Sequence, residues 1–301
     1  MTLLDDLASR RFLVVTGKGG VGKTVVSAVL GRLLAGAGRS VLLLEVDPRE
    51  NLHELAGVAP SGGEVVEVRA HLLLQNLQPR QVLEQVVRDH LRLEWLSRRV
   101  VSSPVFKHFV DAAPGLKELA ILGHAFRVLH GHAADLAVDM VVLDAPATGH
   151  GLSMLTAPSV VSDVIREGPF GTMAGDLAAF IADPARTGIV VVTHAEEMPV
   201  QESLELRAEM RRRIKRSPDL LVVNALYPPV KSPGGRLSSD PLARLWIKRR
   251  GINDRELARL GDEWSGPRVL LPFVPVDRGP ALPARLAPDM RQGLVRLEGT
   301  A

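Results

Sequence analysis

The chain has 301 residues, of which 46% are hydrophobic and 24% charged, with a formal net charge of +3. That is the composition of a globular protein, long enough for one large α/β domain or two small ones. It contains no cysteine, which excludes disulfides, thiolate zinc sites, cysteine-held iron–sulfur clusters and cysteine nucleophiles.

No apolar run reaches the roughly 18 residues of a membrane span. The first residues (MTLLDDLASRRF) lack a signal-peptide core, so no integral membrane segment and a cytoplasmic location are expected. Residues 11–16 (RFLVVT) read as a short buried strand. They lead into Gly17-Lys18-Gly19-Gly20-Val21-Gly22-Lys23-Thr24, which fits the phosphate-loop pattern G-x-x-x-x-G-K-[ST]. Residues 25–34, starting at Val25, carry a helical pattern, so the order is strand, glycine loop, helix. Gly19, Gly20 and Gly22 let the main chain curl so that successive N–H groups can face phosphate oxygens. Lys23 supplies a cation to the β- and γ-phosphates, and the Thr24 hydroxyl is a Mg²⁺ ligand.

Further apolar runs lie at 41–46 (VLLLEV), 140–143 (MVVL), 189–193 (IVVVT), 220–223 (LLVV) and 269–271 (VLL). Most are continuous rather than alternating, as in strands buried on both faces of a parallel sheet. Helical patterns separate them, for example over 200–214. The expectation is therefore an α/β fold, a doubly wound and mostly parallel sheet, as one domain over residues 1–301. Residues 64–74 suggest a strand or hairpin. From about 80 to 136 the pattern is helical, and 151–187 reads as two short helices around a turn at 168–171. These two stretches are expected to form an inserted helical subdomain over the nucleotide edge of the sheet.

Strand ends are where ligands bind in such sheets. Asp47 follows the second strand, although Asp-Pro is also a common turn there. Asp144 closes the strand at 140–143, the usual position of a Mg²⁺ partner, directly or through water. Asn224 follows 220–223 and offers the donor and acceptor that an adenine edge takes. His124, His130 and His132 cluster, but no second group completes a metal site, so they read as helix-surface residues. The basic runs 211–216 (RRRIKR) and 248–250 (KRR) lack interleaved aromatics. They read as solvated helix ends, and no nucleic-acid partner is expected. Residues 228–241, rich in Pro, Gly and Ser, read as an exposed flexible loop.

These segments together resemble the ArsA family of deviant P-loop ATPases, which includes the arsenite-pump ATPase and the ATPase that targets tail-anchored membrane proteins. The resemblance is carried by the loop 17–24, Val46-Asp47-Pro48, residues 144–150 (DAPATGH), Val222-Val223-Asn224 and Leu271-Pro272-Phe273. It implies a Mg²⁺-dependent ATPase, with ATP as substrate, working as a nucleotide-gated homodimer or as a heterodimer with a paralogue. It implies that Lys18 reaches the nucleotide of the opposite subunit and that Asp47 with Pro48 forms the first switch, its carboxylate positioning the attacking water. Asp144, Thr148, Gly149 and His150 match the second switch, and Asn224 and Pro272 flank adenine. Glu45, Arg49 and Glu50 depart from the family's first switch, so its hydrogen bonding is expected to differ. Arsenite binding through cysteines is excluded, and the 151–187 insertion, with only Met154 and Met173, is shorter than in targeting members. The client is thus open between a hydrophobic or tail-anchored membrane protein and a soluble one. The rival readings are a MinD- or ParA-like positioning or regulatory ATPase and a nucleotide-binding scaffold without client targeting. The positioning reading needs an amphipathic anchor or a basic face, and for the anchor residues 285–297 offer only Leu286, Met290, Leu294 and Leu297.

Overall fold

The computed structural model describes residues 2–47, 49–90, 98–99, 101–104, 115–131, 136–146, 152–164, 167–229 and 240–296. Among the described residues eight strands form one sheet: β1 (Phe12–Gly17), β2 (Val41–Glu45), β3 (Val66–Arg69), β4 (Leu72–Asn76), β5 (Met140–Asp144), β6 (Thr187–His194), β7 (Leu220–Leu226) and β8 (Arg268–Pro272). Their order is β3-β4-β2-β5-β1-β6-β7-β8. Every pairing is parallel except the β3–β4 hairpin at one edge.

The apolar runs became strands because both sheet faces are covered. Along β1, Leu13 and Val15 point into one core and Phe12 and Val14 into the other, all at 1% exposure or less. Leu42 and Leu44 of β2 likewise oppose Val41 and Leu43. Each such side chain contributes roughly 1.5–3 kcal/mol by leaving water.

The first face is covered by α1 (Leu3–Ser9), α2 (Lys23–Gly36), α3 (Asn51–Ala56) and the C-terminal helix α10 (Ala281–Arg296). Leu286, Met290 and Leu294 of α10 are at most 2% exposed in that core. These three of the four residues weighed as a membrane anchor therefore belong to the buried face of a core helix, and Leu297 lies outside the described residues. The second face is covered by α5 (Leu116–Leu129), α6 (Ser153–Val164) and α7 (Gly168–Ala182), with α4 (Pro79–His90) packed on α5. Leu122, Met154 and Leu155 face the sheet there. Residues 168–171, expected as a turn, belong to α7, which starts at Gly168 with a proline in its first turn, where the missing N–H costs nothing.

Two more helices, α8 (Glu197–Arg213) and α9 (Pro241–Glu263), flank β6 to β8. Arg211 to Arg213 occupy the last turn of α8, and Arg212 and Arg213 pair with Glu209. Arg249 pairs with Glu196 and Arg250 with Asp254. His124 is held by Gln75 Oε1 at 2.9 Å, and His130 bonds the Phe126 carbonyl. His132 and residues 230–239 lie outside the described residues. Among the described residues no helix is long and apolar enough to cross a membrane, and no group of three His, Cys, Asp or Glu could hold a metal ion.

At the amino-terminal side of the sheet, Asp219 joins Arg10 at 2.7 Å and Arg216 at 3.0 Å and also accepts from the Ile189 N–H. Both arginine side chains are at most 8% exposed. Removing the carboxylate takes the ion-pair partner of buried Arg216 and leaves buried Arg10 with Asp6 alone. Asp219→Ala is expected to lower unfolding free energy by about 3 kcal/mol, read from the midpoint of urea denaturation at unchanged m-value.

Candidate functional site

The loop after β1 is shaped by two contacts that only glycine permits. Gly17, at φ +142°, lies against the Val192 carbonyl of β6, where a Cβ would approach the oxygen to 2.2 Å. Gly22, at φ +90°, lies against the Asn224 amide, where a Cβ would approach the nitrogen to 2.3 Å. Gly22 is also the N-cap of α2 and brings no capping side chain. The first N–H groups of that helix therefore remain available beside the loop, with the helix dipole behind them.

Lys23 is buried, and its ammonium donates to the Lys18 carbonyl at 3.0 Å. Burial depresses its pKa while the Asp144 charge opposes the shift. Lys18 is half exposed and ion-pairs with Glu202 of α8. The Asn224 amide donates to the Val21 carbonyl at 3.0 Å, which ties β7 to the loop. Asn224 does not end its strand, as read from the sequence. β7 runs on to Leu226, with a register shift beside Ala225 at φ +56°.

Two buried carboxyls lie side by side, because Glu45 of β2 pairs in register with Asp144 of β5. Burial pushes the Asp144 carboxyl up to about 6, against the hydrogen bonds of Thr24 and Ser27 and the charge of Lys23. Ser27 donates to Asp144 Oδ1 at 3.2 Å. Burial pushes Glu45 further, to about 8, with the charges of Asp144 and Asp47 adding to it. The Leu52 N–H, at the start of α3, donates to both Glu45 oxygens at 2.9 and 3.0 Å. His53 is fully buried, with Nδ1 3.4 Å from Glu50 and 3.8 Å from Glu45, and burial depresses its pKa.

Asp47 stands just past β2. Its Oδ1 accepts from the Arg49 N–H and its Oδ2 from the Asn51 amide, both at 2.8 Å. The Asn76 side chain grips the Asp47 main chain from β4, accepting from its N–H at 3.2 Å and donating to its carbonyl at 2.9 Å. A cavity of about 520 Å³ opens here. Gly20, Gly22, Lys23, Thr24, Val25, Asp47 and Asp144 line one part of it, and Asn224, Pro272 and Phe273 line another. Pro48, Thr148, Gly149 and His150 lie outside the described residues. The hydroxyl of Thr24 and the carboxyl of Asp144 are hard oxygen donors, the set that a Mg²⁺ shared with a phosphate chain takes.

Reading the sequence missed Ser27, Asn51, Asn76 and Arg278. Ser27 follows Thr24 by three residues, so helical spacing alone puts both on one face. Asn51 was legible by its nearness to Asp47. Asn76 and Arg278 carried no signal, since only strand register and the packing of the 273–280 segment bring them here.

A glycine loop feeding an uncapped helix, with carboxyls at neighbouring strand ends, defines this chain as an α/β protein of the P-loop NTPase fold. A sequence model of the ArsA family, the anion-transporting ATPases, matches residues 10–169, and the chain belongs to that family. It is 30% identical to the ATPase BagA of Mycobacterium tuberculosis over 222 residues, covering 68% of this chain and 62% of that protein. It is 26% identical to an ATPase ASNA1 homolog of Cryptosporidium parvum over 302 residues, covering 90% of this chain and 78% of that one. To the arsenical pump-driving ATPase of Acidiphilium multivorum it is 26% identical over 270 residues, covering 83% of this chain but 44% of that one.

Glu45 makes a pH-dependent contribution whose sign follows from its raised pKa. The fold favours the neutral acid, so the contribution is complete below the ordinary value of 4.5 and is lost as pH rises through about 8. Glu45→Gln is expected to gain stability relative to the unmodified chain between those two values and to gain no more above them. Urea midpoints measured in a pH series check it, and a constant difference across the series would refute it.

Proposed function

We propose that this chain is a Mg²⁺-dependent ATP hydrolase acting as a nucleotide-gated dimeric switch. One observation carries the reading: the glycine loop, Lys23, Thr24, Asp47 and Asp144 converge on one cavity at the carboxyl edge of the sheet. Loop N–H groups and the α2 N-terminus bind the phosphates. The Lys23 ammonium exchanges the Lys18 carbonyl for a phosphate oxygen. Thr24, and Asp144 through water, would hold Mg²⁺, which when bound would neutralise phosphate charge. Asp47, at the loop mouth, orients the attacking water and accepts its proton. Asn224, Pro272 and Phe273 form the base side.

Lys18 acts in trans. Its ion pair with Glu202 keeps it half exposed at the rim, from which a second subunit's nucleotide can claim it. The partner is a second copy, with a paralogue as the alternative. The helical layer of α4 to α7 carries the closing motion to a client, a hydrophobic or tail-anchored membrane protein. Val160 and Val164 of α6 are 51% and 79% exposed on that layer. Leu91, Trp95, Leu96, Phe106 and Phe109, which the client surface would use, lie outside the described residues. The positioning-ATPase reading loses its anchor to the core of α10. A non-hydrolysing scaffold would not need Asp47 held at both carboxylate oxygens.

Lys23→Ala is expected to abolish nucleotide binding or turnover. Asp47→Asn is expected to keep ATP binding and to lose about 10²-fold or more in phosphate release; turnover like that of the unmodified chain removes its assigned role.

Mixing Lys18→Ala with Asp47→Asn subunits tests the dimer. One site of the mixed dimer then holds both groups, so activity is expected to recover in part. No recovery, with mixed dimers demonstrated, counts against a lysine acting in trans. Coexpressing Asp47→Asn with a tail-anchored protein tests the client. The expected result is a soluble complex that depends on ATP.

A further inference from the structure

The carboxylate of Asp47 is aimed by one side chain, and that side chain is itself aimed from elsewhere. Asn51 Nδ2 donates to Asp47 Oδ2 at 2.8 Å. A carboxamide has a donor end and an acceptor end, so whatever fixes Asn51 Oδ1 also fixes which end meets Asp47. Asn51 Oδ1 accepts from Arg278 Nη2. Arg278 is in turn held by Glu54, one turn further along α3, through Nε at 2.8 Å. Its planar fork thus spans Asn51 and Glu54 on α3.

Arg278 belongs to the segment between β8 and α10, which supplies Phe273, Val274, Val276 and Arg278 to the wall of the cavity. Phe273 stacks on Tyr227 with ring centroids 5.5 Å apart and planes at 11°. The same segment closes on the far end of α3. Gly57, at φ +75°, faces the Pro280 ring so closely that a Cβ would approach Pro280 Cγ to 2.6 Å. The segment that lines the base side therefore touches α3 at both its ends. No other described group donates to Asn51 Oδ1.

We propose that Arg278 is a positioning residue, acting through Asn51, that makes the aim of Asp47 depend on the seating of the base-side segment. The inference rests on the ATPase reading above and adds to it a physical link between base recognition and the attacking-water end of the site. A nucleotide whose base seats the 273–278 segment orders Arg278, which orders Asn51, which orders Asp47. A nucleotide whose base does not seat it binds through its phosphates and is turned over poorly.

The variants are Arg278→Ala, Arg278→Lys, Asn51→Ala and the double variant Arg278→Ala/Asn51→Ala, in the full chain. Phosphate release is followed with ATP and with GTP. Arg278 and Glu54 are both about half exposed, so thermal midpoints are expected to move little. Arg278→Ala is expected to lower kcat for ATP about tenfold with KM nearly unchanged, and to bring the kcat values for ATP and GTP together. Arg278→Lys restores part of the loss, and the double variant is no slower than Asn51→Ala.

A second readout does not need turnover. On binding ADP, amides 49–57 of the unmodified chain are expected to gain protection from hydrogen exchange, and those of Arg278→Ala to gain none at equal occupancy. A raised KM with unchanged kcat would make Arg278 an ordinary binding contact and overturn the inference. Additive losses in the double variant, or equal protection in both proteins, overturn it too. A chain that binds ADP without hydrolysing ATP fails the hydrolase reading, and exchange then decides the link alone. A chain that binds no ADP overturns both.

Discussion

The site depends on close approach at two glycines, Gly17 to the main chain of β6 and Gly22 to the side-chain amide of Asn224. Gly17 presses on the Val192 carbonyl and Gly22 on the Asn224 amide, each closer than any Cβ allows. Both residues also adopt positive φ, which other residues reach only with strain. That approach seats the loop at the head of α2 and leaves the helix's first N–H groups facing the cavity. Since β1 lies between β5 and β6, the loop emerges in the middle of the sheet edge. The acids arrive from β2 and β5 on one side, and Asn224 and Pro272 from β7 and β8 on the other.

Crowding acids beside that loop has an electrostatic cost. Glu45 and Asp144 are cross-strand neighbours, both buried, with Lys23 the cation that offsets Asp144. Burial pushes both carboxyls toward the neutral form, Glu45 furthest, with the charges of Asp144 and Asp47 adding to the shift at Glu45 and that of Asp47 to the shift at Asp144. Glu45 remains in place because it caps α3, whose first turn has no side-chain cap from Glu50, its N-cap residue.

The hydrogen bonding around Asp47 follows from the same residues. Glu50 turns away from Asp47 and accepts the Ser61 and Gly62 N–H groups at 2.7 and 3.1 Å. Arg49 contributes its main-chain N–H to Asp47. The segment from Asp47 to Leu52 is thereby tied to its surroundings at three places: the β2 end through Glu45, the 61–62 turn through Glu50, and β4 through Asn76. Asp47 has been left with a local cage of hydrogen bonds whose outermost member is Arg278.

The sequence by itself determined the sheet, the loop and the carboxyls at its edge. Continuous apolar runs can be buried only between two layers, and a G-x-x-x-x-G-K-T run between strand and helix has few other uses. Lys23, Thr24, Asp47 and Asp144 were legible because each sits at a fixed offset from such an element. Sequence could not tell that Leu286, Met290 and Leu294 are core, since a stripe reads alike whether it meets a sheet or a lipid surface. Nor could it place Asn224 inside β7, because a bulge is a matter of pairing and not of composition. Asn76 and Arg278 reach Asp47 only through strand order and through the close contact of Gly57 with Pro280. Those are distances between segments far apart in the chain, and local patterning carries no record of them. Tertiary packing alone decided that Asn76, and Arg278 through Asn51, join the surroundings of Asp47.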